Sequence, residues 1–290
     1  MIKTILVPAN GDENDAAAFA TAAGLARKFS AHIDVLHTRL DPVEAAVGLT
    51  VDTVGGTLIT GLIESLEHDA AERETKVRDS FQRFCERESL TIAAGPGEAA
   101  GKPSAQFHVE TGREQRWLAT YGPVADLIVA ARDSGDSGGA RSVLETLLVD
   151  TGRPLLIPSA APPSSAVVDT IAIGWKPVPQ CARAVAAAMP LLLRAKQTVI
   201  LTVEEEEEDG RRDDAEMLIS NLAWHGLAAT AERLRPRPQG AAETLFAAAK
   251  ERAGLLVMGG YSHSRVREWV FGGFTQQALA EVPLPVLLAH

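Results

Sequence analysis

The chain has 290 residues, a net charge of -10, 46% hydrophobic and 23% charged residues. This is the composition of a globular chain long enough for about two domains, and its acidic balance argues against non-specific attachment to nucleic acid or to an anionic membrane. Two cysteines, Cys85 and Cys181, are too few for a disulfide framework and too far apart for a metal-binding spacing, which fits a reducing compartment.

The first residues, MIKTILVPANGDEND, hold an apolar run too short for a signal peptide. No segment approaches the roughly 18 apolar residues of a membrane span. The expectation is a cytoplasmic protein that engages neither membrane nor nucleic acid.

In chain order, TILVPAN (4–10) reads as a strand, AAAFATAAGLARKF (16–29) as a helix and HIDVLHT (32–38) as a second strand. Residues 41–90 are extra material that contains a long charged amphipathic helix. Leu62, Ile63, Leu66, Val77, Phe81 and Phe84 recur at helical spacing along it. Their simplest use is packing on the first sheet; a groove for a partner is the sharper alternative. ADLIVAA (125–131) and RPLLIP (153–158) read as further strands, and PSAAPPSSA (158–166) as a linker.

The second half repeats the first. TIAIGWK (170–176) matches TILVPAN, AGLLVMG (253–259) matches ADLIVAA, and LPVLLA (284–289) matches RPLLIP. Strands are expected near 170–174, 198–203, 228–233, 254–259 and 285–288, with helices between them. Near-continuous apolar strands alternating with helices imply a parallel sheet covered on both faces. The expected organisation is therefore two tandem α/β domains, 1–160 and 167–290, each an open parallel sheet. Ligands in such folds sit beyond the carboxyl ends of the strands, where strand order reverses.

That rule directs attention to LLVMGGYSHSRVREWVFGGFTQQAL, Leu255 to Leu279. A strand ends near Met258. Gly259 and Gly260 follow, then a polar and basic stretch, then Gly272 and Gly273 ahead of a helical pattern. Glycines permit positive φ or close backbone approach to a ligand, and a helix opened by glycines leaves N–H groups free for an anion. Ser262, Ser264 and Thr275 add hydroxyl donors, and Arg265 and Arg267 add positive charge. The combination suggests a phosphate site; tight turns alone are the competing reading.

The segment resembles the signature of universal stress proteins, in which a strand is followed by G-x2-G-x9-G-(S/T). Gly259 matches the first glycine and Gly272 the third. Ser262 stands at the second glycine and Gly273 at the closing Ser/Thr. The resemblance extends over the chain as two repeats. It implies a pseudo-dimer of five-stranded parallel sheets of the adenine-nucleotide alpha-hydrolase-like kind, and in one subclass the binding of ATP, with or without Mg²⁺. Carried over by position, the phosphate side is Gly259, Ser262, Ser264, Arg265, Gly272, Gly273 and Thr275. The adenosine side is Gly174, Trp175, Lys176 and Val203. Lys176 departs from the acid usual after the first strand of nucleotide-binding members, and it cannot accept hydrogen bonds as a carboxylate does.

Alignment of the repeats places GDSGG (135–139) in the corresponding loop of the first half. Ala131, Arg141 and Ser142 stand there opposite Gly259, Gly272 and Gly273. The loop thus reads as a polar turn in a degenerate copy of the site. Ser137 is no protease nucleophile, since neither His32 nor His37 has a triad context and the strands alternate with helices. The run EEEEED (204–209) reads as a solvated, self-repelling loop. No paired acid–base set, metal triad or Walker loop is present, so no catalytic residue is assigned. The function expected is a non-enzymatic stress regulator or sensor that binds an adenine nucleotide in its second half, with protein partners or a homodimer as further contacts. The alternative is a scaffold acting through protein contacts alone.

Overall fold

The computed structural model describes residues 1–49, 56–132, 143–159, 168–204, 214–260, 273–280 and 284–290. Contacts divide the chain into two compact units, Ile2–Thr151 and Gly152–His290.

The first unit runs β1 (Thr4–Pro8), α1 (Asp15–Phe29), β2 (His32–Arg39), α2 (Pro42–Leu49), α3 (Gly56–Glu88), β3 (Thr91–Ile92), α4 (Pro96–Ala99), β4 (Ser104–Thr111), α5 (Glu114–Tyr121), β5 (Leu127–Val129) and α6 (Val143–Asp150). Its strands lie in the order β3-β4-β2-β1-β5, and the pairings are parallel. Ile5, Val7, Ile33, Val35 and Ile128 are fully buried along the centre of this sheet. Such burial on alternate and adjacent positions follows from helices covering both faces.

The 33-residue helix α3 carries the apolar stripe seen in the sequence. Val77, Phe81 and Phe84 are buried. Phe84 stacks on Phe19 of α1 with ring centroids 4.8 Å apart, and Phe81 on Phe107 of β4 at 5.4 Å. The stripe therefore packs on the first sheet, as its periodicity predicts, at least over its carboxyl-terminal half. β4 is absent from the sequence reading. Its residues SAQFHVET have no apolar run, but Ala105, Phe107 and Val109 alternate with polar residues, the period-2 signal of a half-buried strand.

The second unit runs β6 (Leu155–Ile157), β7 (Thr170–Gly174), α7 (Pro179–Leu192), β8 (Gln197–Val203), α8 (Asp214–Trp224), β9 (Ala229–Leu234), α9 (Ala241–Arg252), β10 (Leu255–Gly259), α10 (Gly273–Ala280) and β11 (Val286–Ala289). The order is β6-β11-β10-β7-β8-β9. Five strands are parallel, and β6 adds to β11 antiparallel. The five parallel strands fall within a residue of their expected positions. The repeat assigns β6 to the first half, and contacts group it with the second unit. Each unit is an open, doubly wound α/β sheet of five parallel strands, the fold class the sequence predicts.

Candidate functional site

Strand order reverses once in each unit, between β1 and β5 and between β7 and β10. Connections leave such a pair of strands toward opposite faces, which opens a crevice at their carboxyl ends.

In the second unit, register pairs Gly174 with Met258 and with Leu201. The ends of β7, β8 and β10 therefore bring Gly174, Trp175, Val203 and Gly259 to one edge. Both glycines also have a packing reason. A Cβ on Gly174 would stand 2.9 Å from Leu245 Cδ2, and one on Gly259 would stand 2.7 Å from the backbone N of Cys181. The first turn of α7 thus lies against the end of β10. Its N-cap position, Val178, supplies no side-chain hydrogen bond, Pro179 follows it, and the turn has no acidic residue. Uncapped N–H groups and the helix dipole make this end electropositive.

Trp175 is half-buried. Its backbone N–H donates to Leu201 O at 2.9 Å, and its indole N–H donates to the Asp214 carbonyl at 3.2 Å, which ties it to the start of α8. Lys176 is exposed. Val203 is half-buried and pairs with Leu234. Gly260 N–H donates to Ala289 O at 2.8 Å. Gly273 opens α10, and Thr275 is buried within that helix. Gln277 ties α10 to Glu243 of α9 at 3.0 Å. Ser262, Ser264, Arg265 and Gly272 lie outside the described residues, as do His263 and Arg267.

The corresponding crevice of the first unit is lined by Pro8, Asn10, Asp12, Asp15, Ala130, Ala131, Arg132 and Val143, and has about 10 Å³ of free room. That is the lower bound for a single water. Asp15, 6% exposed, accepts N–H groups from Gly11 at 2.7 Å and Asn10 at 3.0 Å. Burial pushes its carboxyl up to about 7; the two N–H donors pull the other way, and the negative charges of Asp12 and Glu114 reinforce the rise. The sequence reading passed over these acids. Their only signal was the string GDEND directly after the first strand. Ser137, Arg141 and Ser142 lie outside the described residues.

Elsewhere on the first sheet, His32 Nδ1 lies 2.8 Å from Ser104 Oγ, and its Nε2 lies 3.4 Å from Asp34 Oδ1. His108 Nε2 meets the same carboxylate oxygen at 2.8 Å. Burial works to raise the Asp34 pKa, but the hydrogen bonds from His108 and His32 outweigh it and hold this carboxyl well below the usual range. The Ser–His–Asp order invites a nucleophile reading. Ser104, however, is 1% exposed, so no substrate carbonyl reaches it, and the group works as a structural network between β2 and β4. Among the described residues no group of three or more His, Cys, Asp or Glu is arranged to hold a metal ion, and no helix is long and apolar enough to cross a membrane.

Comparison with known proteins places this geometry in context. Residues 1–132 match the model of the universal stress protein family. A universal stress protein from Archaeoglobus fulgidus DSM 4304 shares the fold at 17% identity, covering 99% of this chain and 95% of its own, with a TM-score of 0.68. A protein of Pseudomonas aeruginosa UCBPP-PA14, provisionally placed in the same family, does so at 16% identity, with 99% and 93% coverage and a TM-score of 0.59. A protein of unknown function from Pseudomonas aeruginosa PAO1 follows at 16% identity, with 99% and 92% coverage and a TM-score of 0.58. No protein of curated function matches the chain.

Proposed function

We propose, from the match of residues 1–132 to the universal stress protein family, that the chain is a member of that family and a non-catalytic, cytoplasmic stress regulator whose second unit binds an adenine nucleotide, ATP with or without Mg²⁺. The observation that supports this most is the meeting of two glycine-ended strands, β7 and β10, with the uncapped first turn of α7. An anion is favoured at such a helix end.

In this reading Gly259, Ser262, Ser264, Arg265, Gly272, Gly273 and Thr275 hold the phosphates. Gly174, Trp175, Lys176 and Val203 flank the adenosine. The Cβ direction of Gly259 is filled by α7, so in this reading Gly259 meets the phosphates through its backbone alone. Trp175 offers its ring face, because its N–H is engaged by Asp214. Lys176 supplies a cation at the crevice edge. When bound, the nucleotide brings a state-dependent anion to the site, which reports cellular energy to a protein partner or to a second copy.

A second reading is favoured by the packing of both glycines. Gly174 and Gly259 have close neighbours of their own, so neither needs a ligand to explain it, and a scaffold acting by protein contacts uses the same residues. Mass spectrometry of the denatured, freshly purified protein tests the proposal. A stoichiometric adenine nucleotide is expected. Its absence, together with no thermal shift at millimolar ATP–Mg, would favour the scaffold.

A further inference from the structure

His37 lies at the carboxyl-terminal end of β2 and is 1% exposed. Its Nδ1 donates to the Ala9 carbonyl at 2.9 Å. Its Nε2 is buried and has no hydrogen-bond partner among the described residues. With Nδ1 carrying the proton, Nε2 is a bare acceptor, and a second proton there would put an unsatisfied, charged N–H in the interior.

Helix α3 packs against β2, and at this end Arg39 of β2 lies 3.7 Å from Glu74 of α3. The same helix rests on the loop after β1, where a Cβ on Gly11 would stand 3.0 Å from Val77 Cγ2 and 3.8 Å from Arg73 Cγ. α3 thus covers the carboxyl ends of β1 and β2, beside the crevice of the first unit. We propose that His37 is a proton-operated latch for this cover. Neutral His37 seats α3, and protonation releases the part of α3 up to Val77.

The charges around His37 set the direction. Burial lowers its pKa from the ordinary 6.5. The Ala9 carbonyl and Glu74 of α3 act to raise it, and Arg73 of α3 and Arg39 of its own strand act to lower it. Glu74 is already engaged by Arg78 at 2.9 Å and Arg39 at 3.7 Å. The residue after β1 contributes only the Ala9 carbonyl, β4 places the apolar Val109 in register with His37, the loop after β1 carries the acid Asp12, and Asp15 opens α1. A depressed histidine pKa means the open form takes up the proton first. The closed form is therefore most stable above pH 6.5 and loses stability as pH falls below it, by up to about tenfold in the closed-to-open ratio per pH unit.

The test is amide hydrogen exchange of the full chain, followed by mass spectrometry and corrected for the chemical pH dependence of exchange. Peptides from 60–77 are compared with β7 as reference at pH 7.5 and 5.5. The latch predicts that opening of 60–77 rises by up to about tenfold at the lower pH while β7 does not change. His37→Leu abolishes the response; if that variant does not fold, His37→Gln replaces it. A parent that shows no change between the two pH values overturns the proposal. So does an acid response that survives in the variant. Imidazole resonances of His37 that titrate with no change in the exchange of α3 overturn it equally. None of these outcomes depends on whether the second unit binds a nucleotide.

Discussion

Asp15 is a buried carboxyl held between opposing influences. Desolvation and the neighbouring acids Asp12 and Glu114 raise its pKa to about 7 from 3.8, against two backbone donors. The sign follows from linkage. The folded state binds this proton more tightly than the unfolded state, so stability from Asp15 is fully present near pH 4 and is lost as pH rises toward 7. The window spans about 3 pH units, or up to about 4 kcal/mol. Chemical denaturation of the parent and of Asp15→Asn from pH 4 to 8 checks this. The stability difference between them is predicted to shift in favour of the variant as pH rises. Gly259 gives a second residue-scale outcome. A Cβ there meets backbone of α7, so Gly259→Ala is predicted to cost about 1–3 kcal/mol, with or without nucleotide, as measured by denaturant unfolding. The glycines of the strand ends were legible in the sequence, since an apolar run closing on glycine marks a strand that meets a close neighbour. What kind of neighbour was not legible: a helix backbone and a phosphate make the same demand on the residue.

Among the elements, α3 is the one whose burial the sequence states most openly. Its apolar residues recur at 3.6-residue spacing, and Phe84 is 1% exposed against Phe19. Phe84→Ala is predicted to cost about 3–5 kcal/mol through the cavity left under the helix, again by denaturant unfolding. A solvent-facing stripe would give less than about 0.5 kcal/mol. β4 marks the opposite case. Its signal is the alternation of Ala105, Phe107 and Val109 with polar residues, which a search for apolar runs passes over, and β2 offers the strand eight register partners. The acids after β1 were unread for a related reason. A string of polar residues looks like a solvated turn until α1 and the loop fold back over Asp15.

Across the whole molecule, the internal repeat carried the fold. Matching apolar runs at both ends of each half predicted two parallel sheets, and the strand orders of the two units bear this out. The family was legible from the loop after β10, and the family model matches the other half, residues 1–132. The resemblance of that loop and the match of residues 1–132 thus point to one family from different halves of the chain. The central claim is that the second unit holds an adenine nucleotide on the loop that ends at Gly272. Calorimetric titration of ATP–Mg into the parent and into Gly272→Val tests it most directly. The account predicts measurable binding to the parent and a loss of at least about tenfold, or roughly 1.4 kcal/mol, in a variant that remains folded. Undiminished binding to Gly272→Val, or no heat with the parent at millimolar ATP, would contradict it.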